Sequence, residues 1–411
     1  MINLASAFRA LRHREYRLIF SGQFVSMVGT WMQAVAQGWL VYRLTGNAAL
    51  LGLVSFAGLA PTFLLSSLGG ALADRTDPRR VVIATQSILL LQATALGLLT
   101  LAHRVAIPHV LVLAMVMGLV NAFDMPASQV LVSRAVPRED LPNAIALNSS
   151  LFHGSRILGP ALAGLVVAGF GEGWCFLLNG ASYLAALTGL LLLRLPAPPR
   201  SGGTRPIGHE LLEGLRFVKG SPTMRRLFLL QGLATFLAMP YTVLMPAVAK
   251  DMLHGGPRLL GWLMGAGGVG ATFGALRLAS KRDPEGLSHT MQKALALLAL
   301  ALTAFALSRL PWLSILLIVP LGFCMVSVNT SNNTLVQLGV PGELRGRVMA
   351  LHAMVFMGAM PLGCLLAGHL AQSFGTSTVL LLEGAGCLLT AMAYLGMGRR
   401  QDPFADPDRP Q

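Results

Sequence analysis

The feature that most constrains this chain is a succession of apolar runs, each about 20 residues or longer, separated by polar joints that are mostly short. A helix needs about 20 apolar residues to cross the hydrocarbon core of a bilayer. Twelve spans are expected, near 17–42, 48–73, 81–101, 108–132, 143–169, 174–194, 225–249, 259–279, 291–309, 312–336, 346–371 and 376–397. Composition agrees with this pattern. Only 12% of the 411 residues are charged, too few to cover the surfaces of soluble domains. Gly and Pro are scattered through the apolar runs rather than gathered in a low-complexity tract. The expected class is an all-α integral membrane protein. The first run is too long for a cleaved signal peptide, and it carries Gln23, Gln33 and Gln37.

The net charge of +14 invites a nucleic-acid partner, but its placement argues against one. With the N-terminus inside, the outer loops hold Arg43, Arg104, Lys250, Arg258 and Arg309, and Arg156 alone lies within a span. The remaining 25 of the 31 Lys and Arg fall on inner segments. That asymmetry orients a multi-span chain and sets both termini in the cytoplasm, hence an even number of spans. Cys175, Cys324, Cys364 and Cys387 form no CxxC pair and sit in or beside apolar runs. They read as small packing residues, with no disulfide framework and no metal site implied.

An internal repeat organises the chain. Residues 118–164 and 322–368, offset by 204, are identical at 15 of 47 positions, among them Gly118/Gly322, Pro137/Pro341, Gly159/Gly363 and Gly164/Gly368. Spans four and five therefore recur as ten and eleven. The expected organisation is two parallel six-helix repeats: an N-terminal half, 1–194, and a C-terminal half, 225–397. A linker, 195–224, joins them and a tail, 398–411, follows. Parallel repeats with a site at mid-membrane are the architecture of secondary transporters. Within the linker, Pro196, Pro198, Pro199, Gly202 and Gly203 read as a flexible joint. After it, Ile207, Leu211, Leu215 and Val218 share one face of an amphipathic helix expected to lie on the inner membrane surface.

The second loop reads Gly70-Ala-Leu-Ala-Asp74-Arg75-Thr76-Asp77-Pro78-Arg79-Arg80, with Asp77 where a Gly is usual. The fifth span carries Gly154 and then Gly159-Pro160-Ala-Leu-Ala-Gly164. On these residues the chain resembles the major facilitator superfamily. With the loops at Val136-Pro137-Arg-Glu139 and Arg345-Gly346-Arg347, it is similar to the bacterial group of enterobactin-type siderophore exporters and macrolide efflux proteins. The resemblance implies a twelve-helix fold. It also implies a cytoplasmic gate at Gly70, Asp74, Arg75, Arg79 and Arg80, in which Asp74 latches against the eleventh helix.

Gln23, Ser26, Thr30, Gln33 and Gln37 are spaced 3, 4, 3, 4 and share one helical face. A polar face in lipid must line water or protein, and this one reads as a cavity wall rather than a helix–helix seam. Gln231, Thr235 and Thr242 repeat the pattern in the seventh span. Asn121 and Asp124 of the fourth span, Arg156 of the fifth, and Asn329 and Asn332 of the tenth complete the expected substrate cavity. Asp124 and Arg156 lie at similar depths. They read either as a static ion pair or as a switch in which Asp124 meets Arg156 in one state and a proton in another. Glu383 reads as a glutamate in a polar seam or reaching the outer interface, with proton carriage as the alternative.

The expected activity is proton-coupled export of an amphipathic small molecule, siderophore-like or a drug, by alternating access. A monomer in a bacterial inner membrane is expected, driven by the proton gradient without a bound cofactor. Lipid or lysophospholipid transport, uptake symport, and a non-transporting membrane scaffold are the alternatives. No cluster of reactive residues suggests an enzyme.

Overall fold

A computed structural model describes residues 8–194, 207–279 and 286–398, all helices and connecting turns with no strand among them. The linker residues 196–203 and the tail after 398 lie outside the described residues. A short 3-10 turn, Arg9–Arg12, precedes α1 (Arg14–Thr45), α2 (Ala48–Arg75), α3 (Pro78–Leu101), α4 (Ile107–Arg134), α5 (Leu141–Phe170) and α6 (Glu172–Leu191). Then come α7 (Ile207–Gly220), α8 (Pro222–Ala238) and α9 (Tyr241–Ala247), which runs into a π turn, Val248–Met252. The chain continues through α10 (Pro257–Ala279), α11 (Leu287–Leu307), α12 (Pro311–Gly339), α13 (Arg345–Phe374) and α14 (Thr376–Gly398).

Local chemistry sets the boundaries. Gly46 ends α1 in a left-handed conformation (φ 59°), and Asn47 then caps α2 by accepting from the Ala49 and Leu50 amides. Asp77 caps α3, accepting from the Arg79 amide at 3.0 Å, with Pro78 in the first turn. The departure from Gly at this position thus supplies a helix start. Ser221 and Pro222 open α8 in the same way, as their order in the sequence predicts.

Eleven helical segments among the described residues are long and apolar enough to cross a membrane. α1 is not among them: its 32 residues are long enough, but its polar stripe and charged first turn lower its hydropathy.

The chain divides into two compact units, Met1–Gly202 with Gly255–Gly265, and Gly203–His254 with Ala266–Gln411. In the first, α1 packs on α5 and α6, α2 on α4, and α3 on α4 and α6. In the second, α8 packs on α13 and α14, and α11 on α12 and α14, while glycines bring α10 onto α12. The second unit thus repeats the pairings of the first, helix for helix. The closest approaches repeat too. A Cβ on Gly118 would strike the Gly58 carbonyl oxygen, and one on Gly322 the Gly267 carbonyl oxygen. Such backbone contact is how helices associate where no hydrophobic drive distinguishes protein from lipid.

Each unit also has a segment ahead of its first long helix that docks on its fifth. In unit 1 the Ala10 amide donates to Asn143 Oδ1 (2.9 Å), the Tyr16 hydroxyl to the Ala144 carbonyl (2.9 Å), and Asp140 pairs with Arg9 and His13. In unit 2, α7 lays Gly214 against the Arg347 backbone and pairs Glu213 with Arg347. The α7 helix is therefore docked on α13 through Gly214 and the Glu213–Arg347 pair, a protein contact that the amphipathic pattern did not reveal.

The His13 hydrogen bond to Asp140, at 2.7 Å, with Arg9 beside it, holds this carboxyl below the ordinary aspartate range. A depressed carboxyl contributes stability above its unfolded pKa, about 3.9, and loses that contribution as pH falls through the folded value. A spin label on Phe8→Cys should therefore stay immobile at neutral pH and gain mobility on acidification below about pH 4. In Asp140→Asn the acid transition should vanish; an identical transition in both proteins overturns the assignment.

Candidate functional site

The polar stripe of α1 splits into two environments. Gln33 is 1% exposed and fully engaged: its Nε2 donates to Gln92 Oε1 (3.1 Å), and its Oε1 accepts from Asn179 Nδ2 (2.8 Å). Gln92 in turn donates to the Leu113 carbonyl, and Thr30 meets the Tyr183 hydroxyl at 3.2 Å. Gln33 therefore sits in a hydrogen-bonded seam between α1, α3 and α6, which corrects the expectation of a cavity wall at this residue. Gln37 is buried as well, with its Oε1 unpartnered. Lower on the stripe, Gln23 and Ser26 line a cleft inside unit 1 with Gln86, Ser128, Val82 and Leu131. The Oε1 atoms of Gln23 and Gln86 are buried there without partners.

Asp124 lies beside that cleft. Its Oδ1 accepts from Thr85 Oγ1 at 2.5 Å, and both oxygens accept from Gln86 Nε2 at 3.2 Å. Arg156 is elsewhere, its guanidinium carbon 5.7 Å from the centre of the Trp31 ring. The expected Asp124–Arg156 ion pair is not formed in this structure. Two assumptions behind it fail. Helices joined by a short loop need not be neighbours: α4 packs along α2 and α3 and barely touches α5. Equal depth also leaves rotation about the helix axis free, and Asp124 is turned towards α3. Asn121, a turn earlier on α4, is half-buried.

In unit 2, Gln231 Nε2 donates to Asn329 Oδ1 (2.6 Å) and to Thr235 Oγ1 (3.1 Å). Asn332 Nδ2 donates to the Leu227 carbonyl (2.9 Å), which turns its Oδ1 towards His352 Nε2 (3.0 Å). The imidazole therefore presents Nε2–H to Asn332. This knot ties α8, α12 and α13. The sequence reading missed His352, a lone histidine that no spacing linked to Asn332.

Glu383 is 5% exposed, and both of its carboxyl oxygens are buried without a hydrogen-bond partner. The repeat explains its setting. A Cβ on Gly384 would lie 2.6 Å from Thr303 Oγ1, as one on Gly180 would lie 2.7 Å from Thr94 Oγ1. Glu383 therefore holds the place that Asn179 holds in unit 1. There Asn179 is satisfied by Gln33, with Gln92 and Tyr183 around it; in unit 2 the places of Gln92 and Tyr183 are taken by Ala301 and Cys387. Cys364 and Cys387 lie beside the carboxyl. All four cysteines are free and buried.

Around the second loop, Arg79 donates to the Leu190 and Leu191 carbonyls (2.8 and 3.0 Å) and so caps the end of α6. Arg80 and Arg75 are exposed, and a Cβ on Gly70 would meet open space. Asp74 lies on α2, but its side chain is outside the described residues.

A profile of the transmembrane secretion effector family matches residues 5–405. The chain is 30% identical over 395 residues to the multidrug efflux pump Tap of Mycolicibacterium fortuitum, covering 94% of this chain and 96% of that protein. It is 27% identical over 395 residues to the enterobactin exporter EntS of Escherichia coli O1:K1 / APEC, covering 93% and 91%. Among solved structures, the nucleoside transporter NupG superposes with a TM-score of 0.74 at 16% identity, covering 94% of this chain and all of that one, a likeness of fold. The family and these relatives are transporters rather than enzymes. Two all-helical units whose helix pairings repeat, the loop at Gly70–Arg80 and a match along nearly the whole sequence lead to one assignment: the chain belongs to the transmembrane secretion effector family of the major facilitator superfamily.

Proposed function

We propose that this chain is a proton-driven exporter that expels an amphipathic small molecule, a drug or a siderophore-like metabolite, by alternating access. Its relatives named as a multidrug efflux pump and an enterobactin exporter support that direction and substrate range. In this reading α1 is the twelfth span, its polar stripe sheltered by α3 and α6. Residues 1–194 and 225–397 are the two moving halves, joined by 195–224. In the same reading both termini lie in the cytoplasm, a reading supported by the excess of Lys and Arg on one set of loops, and the chain works as a monomer in a bacterial inner membrane. The Asp74 latch and the polar groups at Gln23, Gln231 and Asn329 belong to the same proposal.

The observation that carries proton coupling is the contrast between two carboxyls. A proton arriving at Asp124 competes with the Thr85 and Gln86 donors. One arriving at Glu383 competes with nothing, because no donor reaches that carboxyl. An ionised, unpaired carboxylate so enclosed costs several kcal/mol, so a charge at this position has to be met by water or a partner that a change of conformation admits.

The test uses the full chain in proteoliposomes carrying a pH-sensitive dye inside. A panel of cationic dyes, macrolides and catecholates is applied under a pH gradient of either sign. Substrate movement should be accompanied by counterflow of protons, and Glu383→Gln should stall both while leaving substrate binding within about threefold of wild type. If no panel member moves under either gradient, the exporter reading fails.

A further inference from the structure

We infer that Arg156, Trp31 and His153 form a binding site for an anionic group carried by the transported molecule, beside an aromatic face supplied by Phe152. The inference rests on the export reading for the word transported, but the site itself stands on geometry within unit 1. Gly159 of α5 admits the α1 backbone closely: a Cβ there would sit 2.9 Å from the Val28 carbonyl oxygen and against Trp31. That approach places the Arg156 guanidinium over the Trp31 ring, 5.7 Å from its centre. Phe152 meets Trp31 edge-on at 5.8 Å and His153 at 5.7 Å.

A guanidinium over an indole face is attracted to the ring's π system but makes no conventional N–H···O bond there, so its N–H groups still call for acceptors. No carboxylate pairs with Arg156 among the described residues. Three acids of unit 1 are already engaged, Asp124 by Thr85 and Gln86, Asp140 by Arg9 and His13, and Glu172 by Arg43 at 2.6 Å. Two further groups are stranded in the same cluster: Trp31 Nε1 and His153 Nδ1 are buried with no hydrogen-bond partner. Buried polar groups are normally satisfied, so an unmatched indole N–H beside a cation, with a ring nitrogen of His153 that can carry a proton towards the same ligand, marks a missing acceptor. A carboxylate, catecholate or phosphate provides it, and Arg offers such groups a two-pronged contact. Phe152, 42% exposed, gives an adjoining apolar surface.

Arg156 and Trp31 both lie near the middle of their helices, where an unpaired charge costs roughly 3 kcal/mol in a membrane. The repeat shows that this cost is not needed for the fold. In unit 2, Gly363 packs on the Phe236 carbonyl much as Gly159 packs on that of Val28, yet the counterparts of His153 and Arg156 are Met357 and Met360. The same helix contact forms without any charge. With a cation and no acceptor, the site also repels positively charged groups, which makes it a determinant of specificity.

The test uses the full chain in phosphatidylcholine nanodiscs, so that no anionic lipid competes, with salicylate and its neutral amide, salicylamide, as matched probes. Equilibrium dialysis should show wild type binding salicylate about tenfold or more tighter than salicylamide, a difference of about 1.4 kcal/mol. Arg156→Met, which installs the residue of the second repeat, should erase the preference, and Trp31→Phe, which keeps a ring but removes the N–H, should weaken salicylate binding several-fold. Should Arg156→Met fail to fold, Arg156→Lys decides: a point charge without the planar fork must lower the preference. Equal affinity of wild type for both probes, binding of neither at millimolar concentration, or an undiminished preference in the Arg156 variant overturns the site. If the preference holds while the vesicles move no substrate at all, the site stands and the export reading falls.

Discussion

Glu383→Gln should lower proton-driven transport by about two orders of magnitude, the usual cost of removing a proton-transferring group, while the protein folds as before. The two halves of this expectation come from the same observation. Neither oxygen of Glu383 has a partner, so the substitution breaks no hydrogen bond. A carboxamide matches the neutral acid in size, and the side chains beside it, Cys364 and Cys387, are small and buried. The melting temperature should accordingly stay within about 1 °C of wild type, corresponding to about 1 kcal/mol or less for a chain of this size. Transport should stall because an amide can neither release nor take up a proton when the conformation changes. Glu383→Asp should retain part of the activity. Measured in proteoliposomes, wild-type rates with an unaltered proton yield in Glu383→Gln would remove Glu383 from the coupling machinery and leave Asp124 as its candidate.

What the sequence could reveal here follows from which quantities are one-dimensional. Span limits are set by runs of apolar residues, and those at 108–132 and 312–336 fall inside α4 and α12. The offset of 204 between halves is a property of the string, and it carries over to packing: Gly118 and Gly322 make the same backbone contact. Side-chain partnerships depend on rotation about each helix axis and on which helices are neighbours, and neither is written in spacing. Hence Asp124 and Arg156 were matched by depth but are held by Thr85 and Trp31 instead. Gln33 belongs to the right stripe, but Gln92 and Asn179, which decide that the stripe is a seam at that level, come from α3 and α6. The string does carry one signal of a side-chain difference. Carrying the offset of 204 on into the last span aligns Asn179 with Glu383 and shows an amide replaced by an acid at a single place in the repeat.

The repeat also makes a prediction about folding that the two units must share. Gly118→Val should cost at least about 3 kcal/mol, and Gly322→Val should cost a similar amount, because each forces apart a pair of helices in contact through their backbones. The first pair is α2 and α4, meeting at Gly58; the second is α10 and α12, meeting at Gly267. In both, the atom obstructing a new side chain is a carbonyl oxygen, which no rotamer change can move aside. Truncating a neighbour therefore cannot rescue either variant, in contrast to an overpacked side-chain core. The penalty is all the larger in a membrane, where close approach supplies dispersion and weak Cα–H···O contacts that apolar burial does not replace. Gly154→Val tests the alternative that any bulk on a span is harmful: its Cβ would meet nothing within 4 Å, and it should melt within about 2 °C of wild type. Thermal melting followed by size-exclusion chromatography reads all three. If Gly118→Val stays monodisperse and melts with wild type, backbone contact is not what holds α2 to α4. A loss confined to one of the two units would show that the shared glycine geometry no longer carries equal weight in both copies of the repeat.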